Sequence, residues 1–156
     1  MAKLITSKGS IALRVGRANA RRCFGRYSYM RIEPFYKLGH VSLEITRDEL
    51  ELELGAPSAK RTNRIGLEEH EYENSVYRFE ASGVLSEVTI RAVHLEFGKI
   101  GVAFANLAGF IASNDPESVE KHGFVLSPTY GIAFDPEHRP WLTVLTKTGL
   151  DAWQKL

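Results

Sequence analysis

The chain has 156 residues, of which 44% are hydrophobic and 25% charged. This ordinary globular composition excludes collagen, coiled coil and wholesale disorder. Its single cysteine, Cys23, excludes an internal disulfide framework and suits a reducing compartment. The net charge of +1 hides a split: residues 1–29 hold seven bases and no acid, whereas residues 30–156 hold the other 13 bases and all 19 acids.

The chain therefore reads as a basic arm, 1–29, joined to one acidic domain, 30–156. Within the arm, Ser10–Val15 has the pattern of a short strand and Gly16–Arg22 that of a helical turn. Three readings of the arm stand. It is an extension upstream of a domain that starts at Met30, an acid-free targeting segment, or a nucleic-acid-binding arm. In the last case Arg14, Arg17, Arg21, Arg22 and Arg26 would meet phosphates beside the stacking rings of Phe24, Tyr27 and Tyr29. No apolar run approaches the roughly 18 residues of a membrane span, so no membrane partner is expected.

From Met30 onward the pattern changes. Val41, Leu43 and Ile45 alternate with polar residues, which predicts a strand. Thr46-Arg47-Asp48-Glu49 is a capping box. The Thr46 hydroxyl can take a free N–H at a helix start while Glu49 reaches back to the N–H of Thr46. Leu50 and Leu54 share one face, Gly55 suits a left-handed end and Pro57 forbids continuation, so Arg47–Leu54 is predicted as a two-turn helix. Ala56–Asn63 reads as a polar loop, and Gly66–Ser75 as a solvated acidic stretch holding His70.

Val76–Glu80 reads as a strand, and Val84–Phe97 as a long strand region with a bulge because neither alternation is clean. Gly98-Lys99 is a hairpin turn. Val102–Ala112 opens as a strand and passes into a helix, and Asn114-Asp115-Pro116-Glu117 reads as a further helix start that Gly123 ends. Phe124–Leu126, Gly131–Phe134 and Trp141–Leu145 read as strands, with a tight loop at Asp135–Pro140 and a last helix capped by Thr148. Short helices between antiparallel hairpins define an α+β class: an antiparallel sheet with short helices packed on one face. Trp141 and Trp153 are expected in the core.

No strong catalytic motif is present, and neither an enzyme activity nor a cofactor is expected. The histidines His40, His70, His94, His122 and His138 show no metal-ligand spacing. Ser118-Val119-Glu120-Lys121 and Lys147-Thr148-Gly149 match short elements of serine β-lactamases, but the middle motif is missing and the chain is too small for that fold. The first is read as helix surface, the second as the start of the last helix. Asp135-Pro136-Glu137-His138 is read as turn chemistry.

The acidic stretch offers more. Residues 44–80 hold ten acids and five bases, a surface suited to steering a cationic protein partner. Glu68, Glu69, Glu71, Tyr72 and Glu73 are the candidate contacts, with Tyr72 as aromatic anchor.

A family resemblance runs over residues 38–90. Thr46-Arg47-Asp48-Glu49-Leu50, Leu54-Gly55-Ala56-Pro57, Tyr72, Val76-Tyr77-Arg78-Phe79, Gly83-Val84-Leu85 and Glu87-Val88 follow the layout of SmpA/OmlA-type domains and of the repeats of β-lactamase inhibitory proteins. The family's usual Gly-Met ahead of the helix stands here as Glu44-Ile45. The resemblance implies short helices on an antiparallel sheet and action by protein contact. By looser analogy the chain is similar to cytoplasmic bacterial toxin-immunity proteins, which implies a cationic toxin domain as partner.

Overall fold

The computed structural model describes residues 29–156. The expected strand at Ser10–Val15, the turn at Gly16–Arg22, Cys23 and the five arginines of the arm lie outside the described residues. In chain order the elements begin with β1 (Tyr29–Glu33), β2 (Lys37–Leu38), β3 (Val41–Ser42), α1 (Arg47–Leu54), β4 (Ala59–Thr62), β5 (Glu68–Tyr72) and β6 (Ser75–Phe79). Next come β7 (Leu85–Arg91), β8 (His94–Phe97), β9 (Ile100–Ala103), a 3-10 turn over Phe104–Asn106 and α2 (Leu107–Asn114). The chain finishes with β10 (Val119–Lys121), β11 (Phe124–Ser127), β12 (Ile132–Phe134), β13 (Trp141–Leu145) and α3 (Lys147–Gln154).

The class is α+β, with two mostly antiparallel sheets and three short helices among the described residues. A five-stranded sheet has the order β3-β2-β1-β8-β9, and an eight-stranded sheet the order β10-β11-β12-β13-β7-β6-β5-β4. The pairing of β1 with β8 is parallel. The main core lies between the sheets: Ile32 and Leu95 from one, Phe79, Val88, Ile90 and Val144 from the other, closed by Leu50 of α1 and by Leu107 and Ile111 of α2. Phe124, Leu126, Ala133 and Leu145 point the opposite way and meet Trp153 of α3. The eight-stranded sheet thus buries both faces at its β11–β13 end. Trp153 is buried as expected, and Trp141 is half-buried.

The single long strand expected over Val84–Phe97 is two strands in two sheets. Val88 and Ile90 face the core from β7, whereas Leu95 and Phe97 do so from β8. The inward phase changes from even to odd numbers at Ala92-Val93, where the chain passes between the sheets. A second phase change comes from a bulge. Arg78 pairs with Glu87 but Phe79 with Leu85, which leaves Ser86 as the extra residue.

The acidic stretch also departs from expectation. Glu68–Tyr72 is strand β5 rather than loop, paired on one side with β4 and on the other with β6. Glu69 has Arg61 and Arg78 opposite it on the two neighbouring strands, and Glu68 and Glu71 also find arginine partners, as described below. The expected strand at Val41–Ile45 shrinks to Val41–Ser42, and the expected loop at Ala56–Asn63 contains β4.

Asp115-Pro116-Glu117 does not start a helix, and Ser118 and Lys121 are not helix surface; the segment turns into β10. Asp115 is buried, and its carboxylate accepts from the hydroxyls of Ser127 (2.6 Å) and Thr129 (2.8 Å) and from the N–H of Thr129 (3.1 Å). These bonds fasten the turn to the β11–β12 connection and leave the carboxylate only one near N–H to cap, that of Glu117 (2.9 Å). The last helix is capped by Thr146 rather than Thr148; its hydroxyl accepts from the N–H of Gly149.

Candidate functional site

The helix α1 forms as its caps dictate. Thr46 Oγ1 accepts from the N–H of Glu49, Glu49 Oε2 accepts from the N–H of Thr46, and Gly55 ends the helix at φ 84°. Leu50 is buried in the main core. Three bonds to β4 and β5 hold the helix in place. Arg47 Nη1 donates to Glu68 Oε2 at 2.6 Å, Lys60 pairs with Glu51, and the Tyr72 hydroxyl donates to the carbonyl of Gly55 at 2.9 Å.

The opposite face of α1 carries Asp48, Glu49, Leu52 and Glu53, all exposed. These positions fall within one side of a 3.6-residue period. Leu52 is 87% exposed, the largest value among the exposed large hydrophobic residues described. The last turn holds no basic residue, so Glu53 sits at the helix end where a negative charge is unfavourable. Asp48, Glu49 and Glu53 make an acidic rim around the exposed Leu52.

The predicted contact residues lie beside this face. Glu68 bonds Arg47 and, through Oε1, His70 Nε2 at 2.7 Å. The His70 hydrogen bond, followed by Arg47, holds the Glu68 carboxyl below the usual range against the effect of burial. Glu69 is buried; it accepts from Arg78 Nε at 2.7 Å and Arg61 Nε at 3.1 Å. Glu71 meets Arg61 Nη2 at 2.5 Å. Tyr72 is half-buried, and burial first, then Glu51, pushes its phenol upward. Glu73 lies in the turn between β5 and β6. The structure thus brings Glu68, Glu69 and Glu71 together, but onto arginines of the same chain. Their charges are largely neutralised within the fold.

His70 is buried at 1% exposure, not solvated, with its ring edge-on to Phe79. Its Nδ1 lies 3.7 Å from Glu51 Oε1 and is the buried side-chain polar atom without a hydrogen bond among the described residues. In the Asp135–Pro140 loop Asp135 accepts from the N–H of Glu137, which is turn chemistry as expected. Lys121 Nζ donates to the carbonyl of Gln154, away from any nucleophile pairing with Ser118. Among the described residues no group of three or more His, Cys, Asp or Glu could hold a metal ion, and no helix is long and apolar enough to cross a membrane.

Comparisons with protein-family models, with curated proteins and with solved structures give no match to this chain.

Proposed function

We propose that the chain is a non-catalytic protein-binding module, an immunity or inhibitor protein that occludes a cationic bacterial toxin domain in the cytoplasm. The observation that carries this reading is Leu52, 87% exposed on a well-capped helix whose outer face is otherwise acidic. A helix of that kind suits a partner groove that is apolar at its floor and basic at its rim. The acids would raise the encounter rate and set the salt dependence, and Leu52 would slow dissociation. This moves the contact from the acids of β5, which arginines neutralise, to α1. The SmpA/OmlA-like layout of residues 46–57 supports the same helix as the recognition element.

The test is affinity capture from the source cell with the full chain as bait. The D48K/E53K variant should release the captured protein at lower salt, and Leu52→Lys should abolish capture. None of the three side chains is buried, so Leu52→Lys should keep the wild-type melting temperature, and D48K/E53K should melt slightly lower because Asp48 stands in the acidic first turn of the helix.

One observation favours a second reading, binding of single-stranded nucleic acid. Tyr29, where the basic arm joins β1, is 55% exposed and stacks on His94 with ring centroids 5.3 Å apart and planes within 8°. A stacking ring next to a basic arm is the combination such binding uses. Deleting residues 1–28 should then abolish salt-sensitive affinity for RNA or DNA.

A further inference from the structure

A buried side-chain nitrogen or oxygen normally has a hydrogen-bond partner, and one without it calls for a reason. Among the described residues that atom is His70 Nδ1. On its other side the ring is well held, with Nε2 at 2.7 Å from Glu68 Oε1. That bond, followed by the one from Arg47, keeps the Glu68 carboxyl below its usual range and ionised. A carboxylate only accepts, so Nε2 carries the ring proton. In the neutral ring Nδ1 is then a bare acceptor. At 3.7 Å it faces a second acceptor, Glu51 Oε1 of α1.

We infer that His70 is a proton-operated latch for α1: protonated on Nδ1, it donates to Glu51 and ties the helix to β5 through one imidazolium held between two carboxylates. The gap of 3.7 Å closes to a charge-assisted bond of roughly 2.7–2.9 Å with a shift of about 1 Å. The Glu51 side chain is one-third exposed and free to make that shift. Lys60 pairs with the same Oε1, and a carboxylate has lone pairs for both donors. Leu50 in the core and the bonds made by Arg47, Lys60 and Tyr72 hold α1 whether or not the ring is charged. The latch adds one tie. It is complete in acid and is lost as the pH rises and the ring gives up its proton.

The surroundings leave His70 as the group that switches. From α1 come Arg47, Glu51 and Glu53, and from β5 itself Glu68 and Tyr72. Lys60 of β4 and Tyr77 of β6 stand opposite His70 on the two neighbouring strands. Burial pushes the Tyr77 hydroxyl up to about 12 and the Tyr72 hydroxyl upward too, so both stay neutral. Between pH 5 and 8 imidazole is the side chain among these whose charge changes. Burial opposes the proton, but both polar groups next to the ring are carboxylates. Arg47 and Lys60 bond those carboxylates and not the ring. A second imidazole, His40 between β2 and β3, lies 3.9 Å from Glu53 of α1, but it is 80% exposed and water screens it.

The experiment follows amide hydrogen exchange in α1 by NMR on the full-length protein between pH 5 and 8, expressed as protection over the unfolded chain. The reporters are the N–H groups of Leu50 and Gly55, which bond the carbonyls of Thr46 and Glu51. Their protection should rise about fivefold on acidification, as one added hydrogen bond of ordinary net strength gives. The ring nitrogen shifts of His70 should pass from an Nε2–H imidazole to the doubly protonated ring over the same range. Glu51→Gln should abolish the rise, because its amide donates to the neutral Nδ1, and His70→Gln should abolish it too. If His70→Gln does not fold, Glu51→Gln decides alone. His40→Gln should keep the rise. Protection that stays level or falls on acidification overturns the inference. So does a rise that survives in Glu51→Gln, or one that is lost in His40→Gln. The protein is measured alone, so the result stands apart from the partner proposed for the outer face of α1.

Discussion

The Thr46-like cap at the far end of the chain is tied to the sheet bulge: the Thr146 hydroxyl donates to the backbone carbonyl of Ser86 at 2.8 Å, and the Thr146 N–H meets the same carbonyl at 3.1 Å. Ser86 is the extra residue of the β6–β7 bulge. Its carbonyl, one register step beyond the Leu145–Glu87 pair of β13 and β7, is the socket for the start of α3. Gly149 then passes so close that a Cβ there would stand 2.1 Å from the Ser86 oxygen.

Gly149→Ala should therefore lift the first turn of α3 off the sheet. The expected loss is about 1–3 kcal/mol, the range for overpacking a tight site, although alanine is the better helix former. Urea denaturation followed by tryptophan fluorescence reports it directly, since Trp153 is buried under that helix and donates to Glu87 at 2.7 Å.

Arg78 is the second stability test. Its side chain is 2% exposed and bonds Glu69, Glu87 and Thr89. Burial, more than any neighbour, pushes the Glu87 carboxyl upward, and the nearby Arg78 opposes that rise. Removing the guanidinium leaves the buried Glu87 carboxylate without its cation and Glu69 with Arg61 alone. Arg78→Met should cost about 3–5 kcal/mol, read from the urea midpoint.

Acid stability should depend on Asp115. Burial opposes its ionisation, but the hydrogen bonds from Ser127, Thr129 and Glu117 outweigh it, and the carboxyl titrates below its ordinary value. A carboxyl depressed in the folded state contributes stability that is complete above its unfolded range. That contribution is lost as pH falls through the folded-state value. Asp115→Asn should thus melt lower than wild type at neutral pH, by roughly 1–3 kcal/mol, and the gap should narrow on acidification. A gap that stays constant with pH would contradict this assignment.

How far the sequence reveals the molecule differs from element to element. Helix α1 is legible to the residue because both ends carry their chemistry in side chains, Thr46 with Glu49 and then Gly55. The exposure of Leu52 is not legible, since Leu50, Leu52 and Leu54 differ only in what the fold places against them. Strand β5 is hidden because its acids read as solvated; their stability comes from Arg47, Arg61 and Arg78, distant in sequence. The β7–β8 segment is blurred by two phase changes, at Ser86 and at Ala92-Val93. Asp115 misleads because a helix-start signal and a loop anchor use the same carboxylate.

The central claim is that α1 recognises a cationic protein through Leu52 and its acidic rim. Its most direct test is parallel capture from the source cell with four baits: wild type, D48K/E53K, Leu52→Lys and a chain lacking residues 1–28. A single protein held by the wild type and the truncated chain, released at lower salt by D48K/E53K and absent with Leu52→Lys, is the expected result. Equal capture by all four baits would contradict the claim, and so would a salt-sensitive nucleic acid lost only on truncation.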